Sequence, residues 1–288
     1  MKLKNYVKPA SLQETIAILK ETEGPVTLLA GGTDVMVYAR EDDRYADHTV
    51  VDIYGLPELC GIEETADALL IGAGTTHTEI ERSPLVHQYA DILAQACRTV
   101  GSLQIRNHAT IGGNIGNASP AADSFAALTL LDAEVEINRL GEVRREKIGE
   151  VIARPYRTTL SDRDVITRVI VKKLPAGTVS DFYKLGRRRA LAISRMTIGT
   201  VLRTDADGVV QDFRMTMGAT FPRPMMFPEI NAMLIGKKPD DADIKAVAKA
   251  LSDKIPEIAG IRASTTYKQP VCLNMCERIL HQLLGGNN

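Results

Sequence analysis

Apolar positions along the chain follow two rhythms. From Ser11 the intervals are near-helical: Leu12, Ile16 and Leu19 share a face, Ser11 and Glu14 have capping-box spacing, and Pro25 marks a stop, so the pattern predicts an amphipathic helix ending near Gly24. Residues 26–29 and 49–53 are short apolar or β-branched runs, which predicts strands flanking a loop that begins at Gly31. A second segment opens with a strand-like run at 69–73. Thr76 and Glu79 repeat the capping-box spacing before a helical stretch that Pro84 interrupts, and Ile92, Leu93, Ala96 and Val100 give another apolar helical face.

After that face comes a Gly-, Asn- and Ser-rich stretch at 107–119, then an Ala-rich helix from Pro120 to about Leu131. Strands follow at 133–138 and 164–171, the latter rich in β-branched residues, and Pro175 and Gly177 read as a turn. The last third differs in texture. Strand-like runs at 195–203 and 209–220 surround a hairpin turn at Asp205, Asp207 and Gly208, and 240–254 and 267–284 carry helical patterns. No repeat or low-complexity tract is visible.

At 288 residues the chain is long for one core, so two or three small domains are expected. Lys plus Arg number 35 against 36 Asp plus Glu, a balance that offers no long-range attraction to nucleic acid or anionic lipid. No apolar run approaches the roughly 20 residues that span a bilayer, and the first eleven residues hold no signal-peptide-like stretch, so a cytoplasmic location is expected. Four cysteines (Cys60, Cys97, Cys272, Cys276) are too sparse for a disulfide scaffold. Cys272 and Cys276 stand at i, i+4, too few ligands for a closed zinc site, and read as packing residues.

Two glycine loops are the chemical candidates: Thr27, Leu28, Leu29, Ala30, Gly31, Gly32, Thr33 and Asp34 in one, and Ala109, Thr110, Ile111, Gly112, Gly113 and Asn114 in the other. A pyrophosphate needs several backbone N–H groups pointing into one concavity, and paired glycines let the chain approach it without Cβ atoms in the way. Each loop alone also reads as a tight turn; two of them in separate segments favour one extended ligand held by both. Competing signatures are weak. Gly72 and Gly74 begin a dinucleotide fingerprint that fails at His77, no Walker A lysine motif occurs, and the five histidines lack metal-pair spacing.

The segments AGGTD (30–34), QIRN (104–107), TIGGN (110–114) and SPAADS (119–124), with Tyr183, Lys184 and Leu185 before Arg187, Arg188 and Arg189, resemble the FAD-binding subunit of the xanthine dehydrogenase and carbon monoxide dehydrogenase family of molybdenum hydroxylases. The resemblance runs over nearly the whole chain. It implies an α+β fold: a two-part FAD-binding domain of the type shared with vanillyl-alcohol-oxidase-like flavoproteins, at 1–54 and 55–176, plus a C-terminal α+β domain with a small sheet and helices at 177–288. It also implies that both glycine loops hold the FAD pyrophosphate, that Asp123 contacts the ribityl or nearby flavin portion, that Lys184 lies close to the cofactor, and that Val165 lends backbone contact. Asp123 reads equally as a carboxylate at a helix N-terminus and Val165 as a core valine; for Lys184 and the arginines a solvated charge run is the lesser alternative. Relatives often carry Asp-Ile-Ala after the arginines, where this chain has Ala192, Ile193 and Ser194.

By the same resemblance the molybdenum cofactor and two-iron two-sulfur clusters belong to partner subunits, and this chain passes electrons from the clusters to NAD or another acceptor. It names no catalytic acid or base here, and no metal ligands. The competing readings are a stand-alone FAD-dependent reductase or oxidase, and a non-catalytic FAD-binding assembly module.

Overall fold

Residues 3–285 are described by a computed structural model. Local sequence signals account for most of its elements. Ser11 Oγ accepts from the Glu14 amide and opens the helix Leu12–Glu21, which ends three residues before Gly24 because the Thr22 hydroxyl bonds to Ile18 O and the chain turns extended. Gly24 then takes a positive φ of 82° on the way into the strand Val26–Leu29. That strand and Asn5–Val7 flank Thr49–Asp52 in a three-stranded parallel sheet, with the helices Leu12–Glu21 and Val35–Glu41 in the connections.

The second sheet is antiparallel, in the spatial order Ile62–Glu64, Ala68–Gly72, Asp164–Lys172, Glu134–Arg139, Glu142–Lys147. Its last strand is absent from the sequence pattern because its residues are almost all charged. It is an edge strand, held by cross-strand ion pairs such as Arg145–Glu136 at 3.1 Å and Lys147–Glu134 at 2.9 Å. The helices His77–Arg82, Pro84–Tyr89, Asp91–Arg98 and Ser124–Leu130 supply apolar faces to a core with this sheet. Pro84 sits at the first turn of its helix, where a missing N–H costs nothing. Thr76 and Glu79 form the expected capping box.

The third sheet runs Val179–Leu185, Met196–Thr204, Val210–Gly218, all antiparallel. Its hairpin is the one predicted, closed by Asp205 N–H to Val209 O at 2.9 Å with Gly208 at φ +81°. One face meets the helix Ser124–Leu130, so closely that a Cβ at Gly199 would stand 2.7 Å from Leu130 Cδ1. The helices Asp241–Ala259 and Thr265–Leu283 build the core on which the rest of this sheet packs, and Cys272 and Cys276 are buried there.

The three apolar clusters do not respect the sheets strictly. Val165, from the second sheet, is wholly buried in the cluster of Ile16, Leu19, Val26, Val51, Ile53, Leu56 and Leu59 beneath the first. Among the described residues, no helix is long and apolar enough to cross a membrane, and no group of three or more His, Cys, Asp or Glu side chains is arranged to hold a metal ion.

Candidate functional site

A cleft of about 1060 Å³ runs between the first and second sheets and reaches the edge of the third. Its walls are drawn from residue 26 to residue 194. Of the sequence candidates, Thr27, Leu28, Ala30, Gly31, Gly32, Thr33, Asp34, Ala109, Thr110, Gly112, Gly113, Asn114, Asp123 and Lys184 line it. Leu29, Ile111 and Val165 are not on its wall: Ile111 is wholly buried in the second core and Val165 in the first, while Val165's strand neighbours Asp164 and Ile166 face the cleft.

The two glycine segments bring different things. In the first, the amides of Gly31, Gly32, Thr33 and Asp34 donate to no acceptor among the described residues, and Gly32 adopts φ +70°. Gly31 is required by close packing, since a Cβ there would lie 1.9 Å from His108 O. The second segment is no loop: it is the start of the helix Ile111–Asn117, capped by Thr110, whose hydroxyl accepts from Gly113 N at 3.1 Å. The amides of Ile111, Gly112 and Asn114 are also used, on Thr75 O, Ala73 O and Thr110 O. Gly112 lets this helix touch the second sheet's connection, where a Cβ would meet Ala73 Cβ at 2.6 Å. One turn on, Gly116 opens onto the cleft with nothing within 4 Å of its Cβ position.

This division of labour fits a dinucleotide. The first segment presents a row of unpaired N–H groups, a concavity suited to phosphate oxygens. The second presents a helix face stripped of side chains at Gly113 and Gly116. Asp34 stands open on the wall but is crowded by protein on its other sides; that desolvation pushes its carboxyl up from the ordinary carboxylate range, against a hydrogen bond from Asn117.

Towards the third sheet the wall is charged. Asp123, 4% exposed, heads the helix Ser124–Leu130 but makes no capping bond to it. Its carboxylate turns instead to other elements: Oδ2 accepts from Lys184 Nζ at 2.6 Å and from Thr99 Oγ1 at 3.1 Å, and Oδ1 accepts from Ser194 Oγ. Lys184 Nζ also donates to Thr99 O at 2.8 Å. Burial pushes the Asp123 carboxyl up, and Lys184, Ser194 and Thr99 pull against it. Lys184 is thus a paired charge and not a solvated one. Thr99 and Ser194 carried no sequence signal, being single hydroxyl residues 24 and 71 positions from Asp123. The Ala192, Ile193 and Ser194 stretch lies on the cleft wall.

Residues 1–173 match the family of the FAD binding domain in molybdopterin dehydrogenase, and residues 181–283 match the carbon monoxide dehydrogenase flavoprotein C-terminal domain. The chain is 34% identical to the nicotinate dehydrogenase FAD-subunit of Eubacterium barkeri, with all of both chains covered. It is 27% identical to the glyceraldehyde dehydrogenase medium chain of Sulfolobus acidocaldarius over 93% of each. Among solved structures, carbon monoxide dehydrogenase from Hydrogenophaga pseudoflava superposes with a TM-score of 0.89 at 25% identity, covering 100% of this chain and 99% of the other. The chain belongs to the FAD-binding subunits of the carbon monoxide dehydrogenase and xanthine dehydrogenase family of molybdenum hydroxylases. It is the FAD-binding electron-transfer component of an oxidoreductase of that type, and the expected α+β architecture is the one found.

Proposed function

We propose that this chain receives electrons from two-iron two-sulfur clusters on an iron-sulfur subunit and delivers them to NAD or another acceptor, for a complex whose molybdenum-cofactor subunit oxidises an N-heterocycle, a purine or a related compound. The full-length similarity to a nicotinate dehydrogenase subunit supports the N-heterocycle class. The observation that carries the cofactor site is the row of unpaired amides at Gly31, Gly32, Thr33 and Asp34 on a cleft of about 1060 Å³, at the upper end of the range for ligand pockets.

Bound FAD supplies the exchange between one-electron and two-electron transfer. The residues of this chain bind and orient. The first glycine segment would donate backbone N–H groups to the pyrophosphate; Thr33, Thr110 and Asn114 would border it, and Gly113 and Gly116 would leave room for it. Asp123 and Lys184 would form the charged wall at the flavin end, bordered there by Leu191, Ala192 and Ile193. No residue of the chain is assigned a proton-transfer role.

The test is the visible absorption spectrum of the purified chain, with the released cofactor identified after denaturation. Flavin bands and released FAD are expected; a colourless protein that FAD cannot load would overturn the site. With its partner subunits the complex is expected to reduce NAD or an artificial acceptor with an N-heterocycle as donor, whereas the chain alone oxidises no such compound.

A further inference from the structure

Between Leu185 and Met196 the chain leaves the third sheet and returns to it. This excursion is tightly made. Arg195 N–H bonds to Leu185 O at 2.8 Å across its base, and the Arg188 guanidinium folds back onto the carbonyls of Ala190 and Leu191. A Cβ at Gly186 would press on Ala192 Cβ at 2.8 Å, and Leu191 takes a left-handed φ of 54°. The turn carries Leu191 and Ile193 to the cleft although both are largely solvent-exposed, at 57% and 81%. So little of the turn's apolar surface is buried that packing does not hold it down. Among the described residues, its buried polar attachment to the cleft wall is Ser194, 7% exposed, donating to Asp123 Oδ1.

We propose that Ser194 is a positioning residue: its hydroxyl holds the Asp123 carboxylate in register with Lys184 and Thr99 and pins the 186–195 turn against the flavin end of the cleft. The inference rests on the FAD reading above. Chemically, Ser194 occupies Oδ1 and Lys184 occupies Oδ2, where the Thr99 hydroxyl, whose one proton is shared with Ala96 O at 2.8 Å, adds a weaker contact, so donors from separate elements stabilise the ionised form. Of the titratable groups around Asp123, Lys184 on the third sheet opposes its charge, and the Cys97 thiol on the helix Asp91–Arg98 is pushed up by burial first, then by Glu81 and by Asp123. Removing the hydroxyl leaves a desolvated carboxylate with one donor fewer, which favours its protonation and frees the turn.

The experiment uses the full chain loaded with FAD. Absorbance of the bound flavin is followed against pH for the wild type, Ser194→Ala, Asp123→Asn and the double variant. In S194A the titration is expected to move upward by about one pH unit, and in D123N the substitution at 194 is expected to have no further effect. Digestion with trypsin, read by fragment mass, is expected to cut after Arg187, Arg188 or Arg189 about tenfold faster in S194A. A wild-type titration in S194A, or the same upward shift persisting in the D123N background, overturns the proposal. If S194A cannot hold FAD, Ser194→Thr decides: retention by the hydroxyl-bearing variant supports it, equal loss overturns it. A wild-type chain that takes up no FAD overturns the FAD reading itself and this inference with it, whereas FAD uptake with an unmoved S194A titration overturns the inference alone.

Discussion

Lys184 and Asp123 lie 61 residues apart, one on an edge strand and the other at the head of a helix, yet Nζ and Oδ2 stand 2.6 Å apart with the carboxylate almost wholly buried. A buried pair of this kind adds little net stability but is costly to halve, because the remaining charge stays desolvated. Lys184→Met is therefore expected to destabilise the chain by about 3 kcal/mol, and Asp123→Asn combined with Lys184→Met to recover a large part of that loss. Urea unfolding of the single and double variants measures both; additive losses would mean the two side chains are not coupled.

His77 is fully buried with Nδ1 3.3 Å from Cys97 Sγ, and burial, assisted by Arg106, holds its pKa down at about 4. The folded-state value lies below the unfolded one, so the neutral imidazole contributes stability that is complete above about pH 6.5 and drains away as pH falls towards 4. The loss over that window is expected to be about 3 kcal/mol. Comparing urea midpoints of wild type and His77→Gln from pH 7 to 4 isolates it: the variant should show the shallower decline, and parallel curves would refute the assignment.

Gly31 and Gly116 separate folding from binding. A methyl group at Gly31 collides with the His108 carbonyl, so Gly31→Ala is expected to lower both stability and FAD content. At Gly116 the methyl meets nothing, and Gly116→Ala is expected to keep or raise stability by up to about 1 kcal/mol through helix propensity while weakening FAD binding. Thermal unfolding of the apoprotein and fluorescence titration with FAD read the two effects; unimpaired binding by G116A would move the ligand off this helix face.

Arg163 ties the first sheet to the second, with Nη2 donating to Thr22 O at 2.9 Å and Gly24 O at 2.8 Å, beside an Asp162 carboxylate that accepts from Val26 N at 3.1 Å. Arg163→Ala is expected to cost about 2 kcal/mol, the loss of two hydrogen bonds from a charged donor. Hydrogen exchange should accelerate at residues 22–29 and stay unchanged at 210–218; uniform acceleration would contradict a local clasp.

What the sequence made legible was short in range. The Ser11 and Thr76 caps and the Asp205 hairpin are all decided by residues within a few positions of one another, and the first glycine segment showed as a local Gly-Gly pair although its need for Gly31 comes from His108. The helix Val35–Glu41 escaped notice because it buries no residue and so shows no apolar periodicity. Charge hid the edge strand Glu142–Lys147, and the strand Val179–Leu185 has only Phe182 buried. At the site, the Gly- and Asn-rich stretch was visible, but not that its amides at 111–114 are consumed inside the protein; for Ile111 and Gly112 that depends on Thr75 and Ala73 arriving from another element. The meeting of Thr99, Lys184 and Ser194 on Asp123 is long-range and leaves no local trace.

Because Val165 closes the core under the first sheet and the cleft wall extends to Ser194, the first third of the chain cannot finish its own interior when it leaves the ribosome. The pocket is therefore a late product of synthesis: Gly31 meets its neighbour only once His108 has been made, and the far wall at Lys184 and Ser194 arrives only when about two thirds of the polypeptide exists.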